Sequence, residues 1–474
     1  MIFKPFDAMR RSMKFGGTST VDGKTLNHIV ESIILASPGE KTVVASAPRG
    51  MTDALIGAAH SMRHDGAYPE ETLSGIESRF YGIADDTGVE RKSLIPYFSQ
   101  LGNNVRRVIG NEKAYIDSVS PYGEIIIAEI LTDMLRQRGV DAVNLNPMEM
   151  GLISDGKFGN ASPKPDSYAK ASAAINHQLG HGRIVVGHGY YLFDENGNMT
   201  TMGRGGTDES GSIYANLMDA DIYENYNHAH DMAGNPVTGI MSSEPRLISG
   251  TSKIDELNYL EAREMAISGA GILHSSTIVP LSAKGIPLNV RSAFELDDSG
   301  TYVRSQLTKE RKENPHGVQG IAFRDNLAFV YLEKIGMDDQ IGVLAEIDET
   351  FAGQWISIAQ DGTGGDSLTI GVYLNGNRNG LSNVIDEIKS KKLATTIDVT
   401  YDMAIVSVVG EKMGSKARIM HDAESLLKGN GIETLVTPFT GSRRSAIFGI
   451  EDKYAVKAVQ ALHDAYVRNG SLHH

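Results

Sequence analysis

The chain of 474 residues contains no cysteine. This absence excludes disulfide bonds, thiolate metal sites and catalysis by a thiol. A protein without disulfides suits a reducing compartment, and we expect this one in the cytoplasm. The sequence also lacks an apolar run of membrane-spanning length, and its N-terminus lacks the apolar core of a secretory signal. We therefore expect no membrane partner.

Clustered positive charge is missing as well. The net charge is −14, and no basic block interrupts the acidic balance, so we expect no nucleic-acid partner. The hydrophobic and charged fractions, 41% and 22%, are those of an ordinary globular protein. A chain of this length has room for two to four domains.

The order of predicted elements divides the chain into four segments. Residues 1–12 are basic and loosely patterned, and we interpret them as an N-terminal extension. Residues 13–304 alternate strand and helix patterns, including strands at 41–45, 141–145 and 183–186, which predicts a three-layer α/β domain with a largely parallel sheet. A hairpin is predicted at Asp194-Glu-Asn-Gly197. Residues 305–316 are polar, end in Pro-His and are predicted to be a linker.

Residues 317–474 contain shorter elements. Their order is strand, helix, strand, strand, helix, and the order occurs twice, with strands predicted at 355–358 and 433–437 among them. Such an internal repeat predicts two small α+β units in tandem. Each unit is too small for a large enzyme domain, which favours a paired regulatory or dimerising module.

The segment 13–24 carries the most information. A short apolar strand ends in Lys14, and Gly16, Gly17 and Thr18 follow in a turn before apolar residues at helical spacing. Paired glycines permit close approach of a phosphate, a helix N-terminus offers N–H donors, and the lysine adds a cation. The alternative interpretation is an ordinary strand–turn–helix corner, because Gly-Gly turns are common.

Three further segments lie at similar junctions of strand, loop and helix. They are Ser46–Asp53, Tyr122-Gly-Glu124 and Gly203–Asp208. Ligands of open α/β sheets bind at such junctions. Taken singly each has an alternative, since a glutamate at a helix start favours the helix dipole and an arginine in a glycine-rich loop is usually solvated.

In their order along the chain these segments resemble the signatures of aspartate kinases. The matching motifs are Lys-Phe-Gly-Gly-Thr-Ser from Lys14, Met-Thr-Asp-Ala-Leu, Tyr-Gly-Glu, Gly-Arg-Gly-Gly-Thr-Asp and Glu-Pro-Arg ending at Arg246. The resemblance covers most of residues 13–304, and residues 317–474 are similar to the tandem ACT domains of that family. It implies an amino-acid-kinase fold followed by two ferredoxin-like ACT units with regulatory and dimerising roles.

The resemblance also implies an activity. Members transfer the γ-phosphate of ATP, accompanied by Mg²⁺, to the β-carboxylate of L-aspartate and so form 4-phospho-L-aspartate, the first step in biosynthesis of the aspartate-family amino acids (lysine, threonine and methionine). A homodimer or higher homo-oligomer is implied, as is a possible allosteric amino-acid effector at the ACT domains.

Site residues follow from the same resemblance. Lys14 and Asp208 are expected to be catalytic, with Lys14 and the Gly16 and Gly17 N–H groups holding phosphoryl charge. Asp208 would orient Lys14 or bind Mg²⁺ indirectly. The expected nucleotide-binding residues are Lys14, Gly16, Gly17, Thr18 and Arg246.

The acceptor needs a cation for its α-carboxylate and an anion for its ammonium. Arg204 matches the family's carboxylate-binding arginine, whose fork suits that task, and Glu124 matches the ammonium-binding glutamate. Further substrate-binding positions fall on Ser46, Thr52, Tyr190 and Thr207.

The chain departs from the family on the ATP side. The Thr-Asp pair before Glu-Pro-Arg is missing from a longer segment, 226–236, and Gly271 stands where many members have lysine. His228, His230 and Asp231 in that segment raise a zinc alternative, but we favour a nucleotide loop with altered adenine contacts and expect no metal site. Two alternatives to an active aspartate kinase remain: a catalytically weak or silent homologue that acts as an amino-acid sensor, and a kinase of an aspartate analogue.

Overall fold

A computed structural model of the protein describes residues 9–271, 273–309, 311, 317–374, 376–410, 416–435 and 444–468. The chain forms two compact units. The first contains the chain up to Ile240, Asp255–Ala262 and Ile272–Leu307, and the second contains Met241–Ile254, Arg263–Gly271 and the chain from Thr308.

The predicted domain boundary at 304 therefore needs correction, because two earlier segments belong to the second unit. Their backbone pairs with the start of that unit's sheet: Ile321 N donates to Ser242 O at 2.8 Å, and Arg324 Nη2 donates to Ala266 O at 3.0 Å. These segments precede the predicted linker, so their order along the chain carried no sign of this packing. Residues 310 and 312–316 of the linker lie outside the described residues.

Both strands and helices occur up to residue 304, but the predicted alternation is interrupted by five successive helices between β2 and β3 and by six successive strands between α9 and α10. The strands are β1 (Arg10–Phe15), β2 (Glu40–Ala45), β3 (Ala142–Leu145), β4 (Ile184–Gly187), β5 (Tyr191–Phe193), β6 (Met199–Thr201), β7 (Ile222–Asn227), β8 (Ala229–His230), β9 (Pro236–Val237), β10 (Ile240–Met241), β11 (Lys253–Ile254), β12 (Glu256–Asn258), β13 (Leu288–Ser292) and β14 (Thr301–Arg304). The helices are α1 (Gly23–Ile29), α2 (Met51–Asp65), α3 (Glu70–Thr87), α4 (Ile95–Arg106), α5 (Glu112–Val119), α6 (Tyr122–Gln137), α7 (Pro147–Met150), α8 (Tyr168–Gly180), α9 (Gly206–Leu217), α10 (Tyr259–Ile267) and α11 (Ile278–Lys284).

The first unit is built on an eight-stranded sheet of order β12-β14-β13-β7-β1-β2-β4-β3. All neighbours are parallel except β13 and β14. The largely parallel sheet is thus confirmed, and the strands predicted at 41–45, 141–145 and 183–186 correspond to β2, β3 and β4. These segments are rich in apolar residues because strands of a parallel sheet are covered on both faces.

Three residues predicted to belong to the N-terminal extension are part of a strand, and residues 1–8 lie outside the described residues. Strand β1 begins at Arg10, so residues 10–12 belong to the central sheet. Arg11 is buried in that strand, where its Nη1 lies 3.3 Å from Glu224 Oε1. This pairing explains how basic residues that look like a solvated tail can occupy a central strand.

Two local predictions in the first unit are confirmed. The apolar residues after the Gly-Gly turn are buried on α1 and on a π-helical continuation, Val30–Leu35. The predicted hairpin is β5–β6, where Gly197 adopts φ +78°. Asp194 Oδ1 accepts hydrogen bonds from the N–H groups of Asn196 and Asn198 at 2.9 and 2.8 Å, an Asx arrangement that stabilises the turn.

The second unit is an antiparallel sheet of order β16-β17-β15-β18-β19 with helices packed on it. Strands β15 and β18 are each 14 residues long. Each contributes residues to the packing of both predicted repeat units. The elements are β15 (Gly320–Glu333), α12 (Val343–Gly353), β16 (Ile358–Thr363), β17 (Ser367–Tyr373), α13 (Arg378–Ser390), β18 (Thr396–Val409), α14 (Lys416–Gly429), β19 (Ser445–Glu451) and α15 (Ala455–His463).

Two apolar cores lie on this shared sheet. One gathers residues such as Val330, Phe351 and Leu381, and the other gathers residues such as Phe448 and Leu462. The predicted α+β character is confirmed. The repeats are nevertheless joined through common strands and do not form two separate sheets.

Two predicted strands in this unit need correction. Residues 355–358 are not a strand: Trp355 adopts φ +57° at the end of α12, and β16 begins only at Ile358. A left-handed residue ends a helix and prevents immediate strand pairing. Residues 433–435 have no strand conformation, and residues 436 and 437 lie outside the described residues.

None of the helices in the described part of the chain is both long enough and apolar enough to cross a membrane.

Candidate active site

The first unit contains a cavity of about 690 Å³. It lies among the loop after β2, the first turns of α2, α5, α6 and α9, and the loops next to β5 and β6. Seven of the predicted site residues line it, together with residues that the sequence did not indicate. The predicted ones are Ser46, Thr52, Glu124, Tyr190, Arg204, Thr207 and Asp208.

Lys14 and Asp208 form an ion pair at the edge of this cavity. Lys14 Nζ lies 2.6 Å from Asp208 Oδ1, and the lysine side chain is 5% exposed. Asn225 on β7 donates from Nδ2 to the same Oδ1 at 2.9 Å. The Asp208 carboxylate on α9 is therefore held between a lysine from β1 and an amide from β7, and it in turn orients the Lys14 ammonium group.

The Gly-Gly-Thr-Ser turn approaches the neighbouring loop closely. A Cβ atom on Gly17 would lie 2.5 Å from Ala47 O, so only glycine fits there. The expectation that the Gly16 N–H group holds phosphoryl charge needs correction, however. Gly16 N donates to Tyr226 O at 3.0 Å, so this N–H group is already engaged.

The N-terminus of α1 is also engaged. Asp22 caps it, and Thr25 N donates to Asp22 Oδ1 at 2.8 Å. This carboxylate takes the position that an anion would need. The sequence predicted an anion site at α1 because the helix follows the glycines, but the cap residue lies between them.

Helix α9 supplies a helix N-terminus at the cavity. Its first residues include Thr207 and Asp208, and its N-cap, Gly205, has φ +77° and no side-chain cap. A Cβ atom on Gly205 would lie 2.3 Å from His274 Cγ. Arg204 is exposed at the cavity and has no ion-pair partner among the residues that the structure describes. The loop therefore presents a free guanidinium next to the positive end of a helix dipole.

Glu124 is the buried anion of the cavity. It is 3% exposed at the first turn of α6. Its Oε1 accepts from Ala47 N at 3.3 Å and weakly from Thr207 Oγ1 at 3.5 Å. Its Oε2 is buried without a hydrogen-bond donor in the described structure. Burial raises the pKa of Glu124 to about 8, because a carboxylate without water or enough donors is costly.

Tyr190 forms part of the cavity wall in a strained conformation. Its φ is +76°, which is uncommon for a residue with a side chain. Tyr190 N donates to Ser210 Oγ at 3.0 Å, and Met202 N donates to Tyr190 O at 2.8 Å. Strain held by surrounding contacts is typical of functional sites.

Helix α5 contributes two lining residues that the sequence reasoning missed, Lys113 and Asp117. Asp117 is buried and accepts from Gly159 N and Thr201 N, both at 2.8 Å, and from Thr201 Oγ1 at 2.7 Å. Burial lowers the pKa of Lys113 to about 8. Their i, i+4 spacing places both on one helix face, and that spacing was the available signal. Asn225, which holds Asp208, was also missed because a polar residue inside a strand carries no motif.

Known proteins resemble this chain over most of its length. The sequence model described as the amino acid kinase family matches residues 9–292. The chain belongs to the amino acid kinase family. It is similar to aspartokinase 3 of Bacillus subtilis, with 27% identity covering 96% of this chain and 98% of the relative. It is likewise similar to the lysine-sensitive aspartokinase 3 of Escherichia coli, with 25% identity covering 95% of this chain and 97% of the relative.

A solved structure shares the fold of this amino acid kinase. The structure of Escherichia coli aspartokinase III in complex with aspartate and ADP superimposes with a TM-score of 0.81 at 23% identity, covering 96% of this chain and 99% of that chain. The resemblance to aspartate kinases that the motifs predicted is thus confirmed, as is the predicted fold class.

The segment that departs from the kinase motifs forms the β8–β9 hairpin and the residues before it. Asp231 closes this hairpin: Asn235 N and Ala233 N donate to its Oδ1, both at 2.9 Å. The ring of His228 packs 4.4 Å from that of Phe294, and Thr18 Oγ1 donates to His228 O at 3.2 Å. With Asp231 committed to its own turn, the arrangement does not gather His228, His230 and Asp231 as metal ligands.

Arg246 lies in the second unit. Its Nε forms a 2.7 Å ion pair with Glu244 Oε1, and its side chain is exposed. Gly271 belongs to the same unit, and a Cβ atom on it would lie 3.7 Å from Glu244 Oε2. The nucleotide-binding role of Arg246 remains a prediction.

Proposed function

We propose that this protein is an aspartate kinase, which transfers the γ-phosphoryl group of ATP to the β-carboxylate of L-aspartate. The observation that carries the proposal is the joint placement of a buried, under-satisfied carboxylate and a free guanidinium in the cavity that borders the Lys14–Asp208 pair. Relatives named aspartokinase that align with nearly the whole chain support the same reaction.

The cavity suits an α-amino acid with a second carboxylate. Glu124 Oε2 receives the ammonium group, which supplies the hydrogen bonds that this oxygen lacks. Arg204 binds the α-carboxylate through two parallel hydrogen bonds. Ser46, Thr52, Tyr190 and Thr207 complete the wall around the acceptor. The β-carboxylate then points toward Lys14.

Phosphoryl transfer needs alignment and charge stabilisation more than covalent help from the protein. Lys14 neutralises the negative charge on the transferred group, and the N-terminus of α9 adds its dipole. The β-carboxylate oxygen attacks the γ-phosphorus, and the bond to the β,γ-bridging oxygen breaks, leaving ADP. No protein base is needed, because the attacking carboxylate is already ionised.

The residues at Lys14 also fit a Mg²⁺ ion bound with the nucleotide. Asp208 presents the same oxygen, Oδ1, to both Lys14 and Asn225, which leaves Oδ2 for the ion or its water ligands. Carboxylate oxygens and phosphate oxygens are the ligands that Mg²⁺ prefers. When bound, the ion neutralises phosphate charge, while Lys14 and Asp208 orient the reacting group.

The nucleotide is assigned to the side of Lys14 away from the acceptor. Gly16, Gly17 and Thr18 border that side, and the hydrogen bond from Thr18 Oγ1 to His228 O brings the segment that replaces the family's Thr-Asp pair next to this turn. Binding of nucleotide phosphates by Arg246 stays a prediction from its motif. With Lys14 and Asp208 paired, a catalytically silent sensor is disfavoured.

The second unit is assigned the regulatory role of tandem ACT domains. Among the residues that the structure describes, β16 is an outermost strand of its antiparallel sheet, and such an edge favours pairing with another copy. We accordingly propose a homodimer or higher homo-oligomer in the cytoplasm, with an amino-acid effector bound by the ACT domains.

The test is a hydroxylamine-trapping assay with Mg·ATP and a panel of acceptors. L-Aspartate, D-aspartate, L-glutamate, L-asparagine and succinate separate the requirements for chirality, length, a second carboxylate and an ammonium group. Hydroxamate formed with L-aspartate alone supports the proposal. A stronger signal with another acceptor would assign the site to an aspartate analogue, and no signal with any acceptor in folded protein would favour the sensor.

A further inference from the structure

Outside the cavity, helix α2 carries two histidines one turn apart, and the start of α5 faces them. His60, His64 and Glu112 each offer one ligand atom, and these atoms all lie within 4.8 Å of one another. Among the residues that the structure describes, this is the one group of three or more such side chains with that geometry.

We propose that His60, His64 and Glu112 form a binding site for a divalent transition-metal ion, with Zn²⁺ the foremost candidate. His60 Nδ1 lies 3.5 Å and His64 Nε2 lies 3.6 Å from Glu112 Oε1. Both distances exceed the range of a hydrogen bond. They match the separation of about 3.4 Å between two ligand atoms of tetrahedral zinc, given metal–ligand bonds of about 2.0–2.2 Å.

The ligand chemistry selects the metal. Two imidazoles with one carboxylate suit Zn²⁺, Co²⁺, Ni²⁺ and Cu²⁺, whereas Mg²⁺ prefers oxygen ligands alone. Side-chain exposures of 42%, 60% and 44% for His60, His64 and Glu112 leave the site open to solvent. Water can therefore fill the remaining coordination positions.

The side chain of Arg63 holds the two halves of the site together before any ion binds. Arg63 on α2 donates from Nη1 to Ile109 O at 2.7 Å and from Nη2 to Gly110 O at 2.9 Å. Asn111 then caps α5 by accepting from Ala114 N at 3.1 Å. Glu112, the next residue, is thereby fixed relative to α2. Such preorganisation lowers the cost of ordering the ligands.

The position of the site gives binding a structural consequence. Helix α2 also carries Thr52 and Ile56, and α5 carries Lys113 and Asp117, all of which line the cavity. An ion shared by the two helices would cross-link one wall of the cavity from outside. The proposed metal site does not depend on which acceptor the cavity binds, and neither Lys14 nor Asp208 belongs to it.

The chain provides a matched control. His177 and His181 on α8 and just beyond it are also four residues apart, and their ring centroids are 4.5 Å apart. One nitrogen of that pair is engaged, because His181 Nδ1 and His177 O are 2.7 Å apart. Because the described part of the chain places no carboxylate with this pair in a three-ligand group, it measures background binding by two histidines.

The experiment is calorimetric titration of the metal-free full-length protein with ZnCl₂. It compares the wild type with His64→Ala, Glu112→Gln and the double control His177→Ala/His181→Ala. We expect one tight site per chain in the wild type and the control, and a loss of affinity of at least about tenfold in the two site variants, since even outer partners of a metal contribute that much. Cobalt(II) absorption in the same proteins gives a second readout of coordination.

Three results would overturn the assignment. They are the absence of a tight site in the wild type, unchanged affinity in both site variants, and equal loss in the control. Circular dichroism verifies that each variant is folded. Using both site variants keeps the test decisive if one of them fails to fold.

Discussion

Glu124 requires a different protonation state in the ligand-free cavity and in the complex with aspartate. Burial raises its pKa to about 8, so near neutral pH the empty site holds the carboxylic acid. An ammonium group binds the carboxylate, and binding must therefore release a proton. We predict that affinity for L-aspartate rises with pH up to about 8 and then levels off.

Calorimetry between pH 6.5 and 8.5 in two buffers of different ionisation enthalpy measures both the affinity and the released proton. Glu124→Gln should bind aspartate weakly and without this pH dependence. Glu129→Gln is the control. Glu129 lies on the same helix but does not line the cavity, and its Oε2 accepts a hydrogen bond from Tyr97 Oη at 2.9 Å. Proton release that persists in Glu124→Gln would assign the titration to another group.

The same carboxyl group affects folding stability. Its pKa is raised in the folded state, so between about pH 4.5 and pH 8 the unfolded chain loses this proton while the folded protein keeps it. The folded state then binds more protons, and its stability must fall as pH rises through that window. We predict that Glu124→Gln gains free energy of unfolding relative to wild type as pH rises from 5 to 8. Urea unfolding without substrate measures this difference, and a constant difference across the range would contradict it.

Lys14 is the residue whose charge matters most for the chemical step. Lys14→Met keeps much of the side-chain length and removes the ammonium group. We expect kcat to fall by about 10²–10³, as for loss of one preorganised donor to transition-state charge, with a smaller change in the KM for aspartate. The comparison variant is Arg204→Ala, which should mainly raise that KM. If Lys14→Met mainly raised the KM for aspartate and Arg204→Ala mainly lowered kcat, the roles of Lys14 and Arg204 would be misassigned.

Among the helices and strands, the start of α9 depends on a glycine for two separate reasons. Gly205 has φ +77°, and a Cβ atom there would meet the ring of His274 at 2.3 Å. Gly66 after α2 has φ +66° with nothing within 4 Å of a Cβ position. Gly66→Ala should therefore cost only the left-handed strain, about 1–2 kcal/mol, whereas Gly205→Ala should cost more and also lower kcat.

Urea unfolding and steady-state kinetics of the two variants separate backbone strain from steric contact. Equal destabilisation, with kcat unchanged in Gly205→Ala, would mean that α9 tolerates displacement of its first turn.

The elements also show how far motifs could predict the site. The glycine-rich loop, Glu124 and Lys14 were predictable because each carries a chemically distinctive pattern at a strand or helix end. The engagement of Gly16 N by Tyr226 O was not, since it depends on a neighbouring strand more than 200 residues away in sequence. Asn225 was missed for a related reason: its contact with Asp208 arises from pairing between distant elements and leaves no local pattern.

Across the molecule as a whole, alternation of strands and helices predicted the parallel sheet, and the repeated element order predicted two α+β units. The division of the chain was less predictable. Residues 241–254 and 263–271 pack with the second unit, and no composition change marks them. The continuity of β15 and β18 was hidden as well, because polar residues at their centres, such as Asn326 and Asp402 with positive φ, are typical of turns between shorter strands.

The shared strands predict that the two cores of the second unit unfold together. Trp355 is the single tryptophan. It is 62% exposed and directly precedes Ile356, which belongs to the core that contains Phe351, so its fluorescence reports on that half. Leu462 is fully buried in the other core. Leu462→Ala should cost about 2–5 kcal/mol and should lower the denaturant midpoint detected at Trp355, although the two residues belong to different cores.

Val456 on the same helix is 43% exposed, and Val456→Ala provides the control that should leave the midpoint nearly unchanged. Leu381→Ala, in the core next to Trp355, sets the size of a direct effect. Strands of 14 residues cannot stay ordered over half their length when the packing on the other half is lost, unless the bends at Asn326 and Asp402 separate them. A Leu462→Ala midpoint equal to that of the wild type would show that these bends divide the sheet into two independent folding units.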